Sequence, residues 1–185
     1  MKKLYVSLLA VAIFAAPMSL YASEPSHFYM GAGWGNYAFN IKNSSTVYGN
    51  SSGLALDLGY DFNNILALQT SYIAPDTFTA TSGTDEAISY AASLFLRANL
   101  RFERSSVYFL VGGSTLGKNN ASYDGVGPAY GVGLDFYGGK NVALTIKYIN
   151  YLDTKTTVGS NKVTLSGTTL GFIYYFDTPR FNNRY

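Results

Sequence analysis

Apolar and polar residues alternate one for one along most of this chain, and the alternation restarts eight times. In TTLGFIYYF, Thr168, Leu170, Phe172, Tyr174 and Phe176 share one face, while Thr169, Gly171, Ile173 and Tyr175 share the other. A period of two is the mark of an extended strand. SGLALDLGYDF, SLFLRANLRF and AYGVGLDFY repeat the pattern, reaching an aromatic at Phe62, Phe102 and Phe136. Each of these three is followed by a short turn signal, at 63–64, 103–106 and 138–141. New alternating runs then begin, ILALQTSYI, VYFLVGGST and VALTIKYINYL. With HFYMGAGWGNYAF as the first, the count is eight. The other strand ends are separated by longer polar segments, KNSSTVYGNSS, APDTFTATSGTDEA, GKNNASYDG and DTKTTVGSNK.

Tight turns alternating with long connections place all the short ones at one end of an even-stranded, antiparallel array. This predicts an all-β fold, an eight-stranded antiparallel transmembrane β-barrel over residues 23–176, with short turns toward the periplasm and long loops outside. The polarity of the faces agrees. One face carries Leu, Ile, Val, Tyr and Phe; the other carries Asp57, Gln69, Arg97, Arg101, Asp135, Thr145 and Lys147. A soluble barrel would turn the apolar face inward. Tyr60, Phe62, Phe102, Phe136, Tyr174 and Phe176 recur at one end of their strands, as an interfacial aromatic girdle does, so the apolar face is expected to meet lipid.

The N-terminus supports export. Lys2 and Lys3 precede an apolar run from Leu4 to Ala16, and small residues near Ala22 offer a cleavage site. Residues 1–22 therefore read as a signal peptide, too short to span a bilayer. Removing Lys2 and Lys3 from the formal charge of +2 leaves a neutral mature chain, which gives no support to nucleic-acid binding. Cysteine is absent, which excludes disulfides and thiolate metal sites. With 17 Tyr and 12 Phe but only 13% charged residues, the composition suits a boundary between oil and water.

GYDFNNILALQTSY (59–72) and DGVGPAYGVGLDFYGGKNVALTIKYINY (124–151) resemble hairpins of the OmpA-type transmembrane domain and of related OmpX- and opacity-like small barrels. The last strand, with Thr169, Gly171, Tyr174 and Phe176, is similar to the assembly signal of that class. The resemblance implies recognition by the barrel assembly machinery and residence in the outer membrane of a Gram-negative bacterium, among lipid and lipopolysaccharide. Nine residues, DTPRFNNRY, follow the signal as a short periplasmic tail, far too few for the peptidoglycan-binding domain of the longer members. Members with a charged luminal gate carry Glu at the position that Gln69 matches.

Other constellations yield less. Gly112-x-x-x-x-Gly117-Lys118 looks like a phosphate loop, but Asn119 replaces the Ser or Thr and no helix follows. Glycines 31, 33 and 35 lack the dinucleotide spacing and instead make room in a crowded lumen. A catalytic triad would need His27, the only histidine, which begins the first strand at the periplasmic rim. An acid pair at the outer rim has only Asp76, Asp85 and Glu86 to draw on. No cofactor or metal is expected.

The luminal charges form the better candidate site. Arg97, Arg101 and Lys147 require Asp57, Asp135 or Gln69 as partners in an interior just wide enough for its own side chains. Asp135 and Lys147 lie on neighbouring strands joined by a short turn and are expected to pair. The expected function is a non-enzymatic structural scaffold whose loops make adhesion-type contact with an unidentified host-surface ligand. A narrow ion or small-solute channel is the alternative, and a lipid-modifying enzyme the third reading.

Overall fold

The computed structural model describes residues 27–41, 48–80, 88–118, 126–139, 141–155 and 162–176. Eight strands follow in order: β1 (His27–Ile41), β2 (Asn50–Asp61), β3 (Leu66–Pro75), β4 (Ile88–Arg101), β5 (Ser105–Lys118), β6 (Val126–Tyr137), β7 (Val142–Lys155) and β8 (Lys162–Tyr175). Each pairs antiparallel with the next, and β8 closes on β1. Closure leaves no strand edge unpaired, as a lipid environment demands of backbone polar groups. The expected leader (1–22) and tail (177–185) lie outside the described residues, as do parts of the four long connections.

The three tight turns share one end. In the first, Asn63 folds back so that its Oδ1 accepts hydrogen bonds from the backbone N–H groups of Ile65 and Leu66, both at 2.8 Å. In the second, the Phe102 N–H donates to the Ser105 carbonyl at 2.8 Å; in the third, the Gly138 N–H donates to that of Val142 at 3.1 Å. Asn and Gly at these positions accept the local geometry that a strand former resists.

Alternation decides which side chains face out. Phe28, Met30 and Trp34 on β1, Leu54 to Tyr60 in steps of two on β2, and Leu170 to Phe176 in steps of two on β8 are all exposed. Of the expected girdle, Tyr60, Phe102, Phe136, Tyr174 and Phe176 stand on the outer wall at the short-turn end. Phe62 is half-buried and packs edge-on against Tyr60, with ring centroids 5.4 Å apart. Phe28 joins this ring of aromatics, 5.4 Å from Phe176.

On β7, β8, β1 and β2 the polarity of the wall inverts towards the long-loop end, whereas Tyr72, Tyr90, Val126 and Tyr130 keep exposed apolar surface there on β3, β4 and β6. One row across four strands, Ile146, Leu170, Trp34 and Leu54, is apolar and points outward. The next outward row is Tyr148, Thr168, Asn36 and Ser52; the one after is Asn150, Ser166, Ala38 and Asn50. On the inner face the opposite change occurs. Lys147 and Thr169 give way to Ile149 and Tyr37, then to Leu165 and Phe39, then to Val163 and Ile41. These inner residues join Ile73, Phe78, Ile88, Phe95, Leu110, Leu116 and Tyr151 in one apolar cluster inside the barrel. On these four strands the apolar face therefore meets lipid over only part of the strand length; beyond it they are built like those of a soluble barrel, with apolar residues inside.

Aromatics are also more abundant inside than the composition suggested. Tyr29, Tyr37, Tyr108, Tyr151 and Tyr175 are buried in the lumen rather than spread over the outer boundary. Three of them lie across glycines on adjacent strands, Tyr37 over Gly167 among them. A Cβ on Gly59 would fall within the Tyr29 ring, and one on Gly133 within the Tyr108 ring. The missing side chain is the space into which the phenol folds.

Candidate functional site

All six luminal residues singled out in the sequence point inward. Arg97 and Asp135 are almost fully buried, at 1% and 0% exposure, and Asp57, Gln69 and Lys147 are buried with them; Arg101 is half-buried nearer the short-turn end. Strand alternation puts them on this face. Their lengths and charges then decide how they join.

Arg97 is the centre. One terminal nitrogen pairs with the Asp135 carboxylate. The other donates to Gln69 Oε1 at 3.2 Å and, more weakly, to the Tyr29 hydroxyl at 3.4 Å. Nε donates to Asn99 Oδ1 at 2.7 Å. The guanidinium lies over the Tyr108 ring, 3.7 Å from its centroid, where the π face favours a desolvated cation. Tyr108 in turn shares a 2.9 Å hydrogen bond with Thr145. One level away, Lys147 pairs with both oxygens of Asp57. Gln69 links the two pairs: its Oε1 accepts from Arg97 and from the Tyr29 hydroxyl (3.0 Å), and its Nε2 donates to Asp57 at 3.4 Å.

The expected Asp135–Lys147 pair does not form. The register sets Asp135 opposite Thr145 and Lys147 opposite Gly133; Asp135 instead meets Arg97 on β4, past the intervening β5, and Lys147 reaches over the lumen to Asp57 on β2, three strands away. In a barrel this narrow, strands two and three away are as close to a long side chain as the neighbouring strand. Arg101 also takes a partner not foreseen. It donates to Asp61 Oδ2 at 2.6 Å and to Asn64 Oδ1 at 2.8 Å, closing the short-turn end. Asp61 shares the inward parity of Asp57, so the alternation contained the signal. Among the described residues, three luminal cations thus pair with three luminal carboxylates, and the exclusion of water around them makes the loss of either partner costly.

The remaining candidates separate from this column. Thr169 and Gly171 of the suggested assembly signal face inward and Tyr174 and Phe176 outward, all on β8 and its edge. Gly112 to Lys118 is extended strand, the end of β5, rather than a loop shaped to cradle phosphate. His27 is buried at the short-turn end. Asp76 lies at the other end, opening a connection in which Asp85 and Glu86 fall outside the described residues. No group of three metal-ligating side chains comes together among the described residues.

That same connection supplies a feature the sequence reading missed. Phe78, a lone aromatic in a polar stretch, is fully buried and packs on Phe39 with ring centroids 5.7 Å apart. Tyr48 also meets Phe39, edge-on, with ring centroids 5.2 Å apart. A backbone bridge between Tyr48 and Ala80, with the Gly49 N–H donating to the Thr79 carbonyl at 2.8 Å, holds the segment over the barrel mouth. Among the described residues the lumen thus holds two layers, ion pairs at one level and an apolar cluster that includes Phe78 at another.

Residues 6–176 match the family model described as "Outer membrane protein beta-barrel domain". Among solved structures, the Ail protein of Yersinia pestis, described as the attachment invasion locus protein, is 20% identical, with a TM-score of 0.56 over 82% of this chain and 99% of its own; it was solved with the heparin analogue sucrose octasulfate. The outer membrane protein OprG of Pseudomonas aeruginosa is 14% identical, with a TM-score of 0.55 over 84% and 98%. The outer membrane protein AlkL, solved in lipid bilayers, is 18% identical, with a TM-score of 0.57 over 85% and 92%. No curated protein sequence matches the chain. At these identities the likeness is one of fold.

Proposed function

The chain belongs to the outer membrane protein beta-barrel domain family, and from that premise we propose that it is a closed, non-enzymatic scaffold presenting surface-contact segments outside the cell. One observation carries the reading: the described lumen holds paired charges at one level and packed apolar side chains at another. Charges pair one to one through its polar part, and an apolar core with Phe78 at its mouth lies beyond it. An ion crossing it would have to displace packed aromatic and aliphatic side chains in addition to breaking ion pairs. Eight strands suit this role, because their interior is about wide enough for side chains and nothing more.

A contact role is consistent with one barrel of the same fold, Ail, which is an attachment protein seen with a sulfated saccharide. The non-enzymatic reading is supported by the position of His27, the single histidine, at the periplasmic end, away from outer-leaflet substrates. Thr169, Gly171, Tyr174 and Phe176 are the residues through which the barrel assembly machinery would recognise the last strand.

The test pairs a planar-bilayer recording with a deletion strain. The purified barrel is expected to show no steady conductance, and the deletion strain to lose binding to host cells or matrix while permeability and lipid A composition stay unchanged. Steady wild-type conductance with a permeability defect would establish the channel instead. Altered lipid A with unchanged binding would establish an enzyme.

A further inference from the structure

The outward side chains of a strand set how much hydrocarbon it can cover, and the strands of this barrel disagree. Their lower rim is shared: the three tight turns lie at one end, and Phe28, Phe102, Phe136 and Phe176 stand exposed there. From that rim the apolar rows on β1 and β8 are short. They stop at Trp34, six residues from Phe28, and at Leu170, six residues from Phe176; Asn36 and Thr168 come next. On β7 the row likewise runs from Val142 to Tyr148 before Asn150. The rows on β4 and β6 are longer. Every outward residue from Phe102 back to Tyr90 is apolar or aromatic, a span of twelve, and so is every one from Phe136 back to Val126, a span of ten. Between them β5 continues past Val111 with the small residues Gly113 and Thr115. Where the long flank meets the short one, the Asn150 side-chain amide donates to the Tyr130 hydroxyl at 3.1 Å on the outer surface.

A strand rises roughly 3.3 Å per residue and leans by about 40° in a barrel of this kind. The flank made by β7, β8 and β1 is therefore about 15 Å tall, and the flank made by β4, β5 and β6 about 25–30 Å. An outer-membrane barrel ordinarily presents an apolar band of ~25 Å, so the long flank matches the membrane and the short one does not. Tilting the barrel raises one flank and lowers the other but lengthens neither. Hydrocarbon of even thickness would surround the amides of Asn36 and Asn150, at the cost of desolvating them. A bilayer meets too short a wall by thinning against it.

We propose that the flank of β7, β8 and β1 pinches the membrane: the acyl layer beside it is thinner than beside β4 to β6, and short acyl chains gather there in preference to long ones. The inference requires only that the barrel spans a membrane and is independent of what its loops contact.

Trp34, the single tryptophan, stands at the upper rim of the short flank and reports which lipid lies beside it. Vesicles mix dilauroyl phosphatidylcholine with brominated dioleoyl phosphatidylcholine, and quenching is normalised to the brominated lipid alone. Quenching of Trp34 is expected to fall several-fold below the value set by the bulk ratio. In a barrel carrying Trp34→Phe and Leu94→Trp, which moves the indole to the long flank, quenching is expected to follow the bulk ratio. Equal quenching of the two proteins would mean no selection of short chains and would overturn the proposal. A second measurement reads depth in dioleoyl vesicles. Pro128 and Thr168 both lie eight residues from their rim phenylalanines, so a belt of even height places them alike. The chain has no cysteine, so a single fluorophore at Pro128→Cys or Thr168→Cys reports alone. The β6 probe is expected to be quenched by brominated acyl chains and the β8 probe by aqueous iodide. If both answer to iodide, the upper β6 row stands clear of the membrane; if both answer to bromine, the short flank is immersed. Either result ends the proposal. Ala92→Cys and Asn36→Cys repeat the comparison on β4 and β1 should either first variant lack the mobility shift of a folded barrel.

Discussion

Removing the Asp135 carboxylate tests the luminal pairing most directly. Arg97 is 1% exposed and Asp135 fully buried, so Asp135→Leu strands a guanidinium where water cannot reach it. Breaking a buried pair from one side typically costs ~3–5 kcal/mol. Arg97 keeps its bonds to Asn99 and Gln69 and its place over Tyr108, which holds the expected loss near the low end, at about 3 kcal/mol. Arg97→Met strands the carboxylate instead, at a similar cost. The double variant carries neither charge; what remains is an Asn99 without its partner and one lost bond to Gln69, about 1–2 kcal/mol. The coupling between Asp135 and Arg97 should thus amount to roughly 4 kcal/mol, and that between Asp135 and Lys147 to less than about 1 kcal/mol. Urea unfolding from lipid vesicles, followed by the single tryptophan Trp34 and by the gel mobility of unboiled samples, supplies both cycles. If the Asp135–Lys147 coupling proves the larger, or the Asp135 single and double variants lose equal stability, the pairing across the lumen is wrong.

Phe78→Ala should cost ~3–5 kcal/mol, the range for an aromatic removed from a packed core, and unfolding midpoints would show a surface-loop value near zero if the side chain were not a stopper. In planar bilayers, Asp135→Leu alone should stay closed because the apolar layer survives, whereas combining it with Phe78→Ala and Phe39→Ala should admit brief conductance steps; opening by the single charge variant would show that the ion pairs are the only barrier. Gly133→Ala should destabilise by more than ~1 kcal/mol by displacing the Tyr108 ring, and Gly133→Ala with Tyr108→Leu should recover part of that loss in the same unfolding assay. Phe176→Ala should lower insertion into the outer membrane while Tyr185→Ala does not, scored by the fraction of heat-modifiable protein; equal insertion would remove the assembly role from Phe176.

The barrel was legible in the sequence because period two acts locally. A strand shows its faces to any reader of the chain, and the spacing of Asn63-Asn64, 103–106 and 138–141 against four long segments gives order and closure. The same parity placed Asp57, Gln69, Arg97, Arg101, Asp135 and Lys147 on the inner wall, where the structure has them. The inversion was written there too, as a change of phase. In β1 the apolar positions run Phe28, Met30, Trp34 and then Tyr37, Phe39, Ile41; in β7 they run Val142 to Tyr148 in steps of two and then Ile149, Tyr151. A reading that assigns one fate to each face of a strand passes over that shift.

Which charge meets which was not in the sequence. Neighbourhood along the chain favours Asp135 with Lys147, but curling eight strands into a narrow barrel brings inner-face side chains two and three strands apart within reach of one Arg or Lys. Arg97 therefore finds Asp135, Lys147 finds Asp57, and Gln69 joins them through contacts separated by 12 to 90 positions in the chain. Phe78 is a similar case: only the fold of its connection over the mouth turns a lone aromatic among polar residues into part of a core. The sequence by itself determines the strands, their order and the polarity of their faces, because those follow from spacing along one chain. The tertiary structure alone decides the ion pairs and the stopper, because those depend on distances inside a closed lumen.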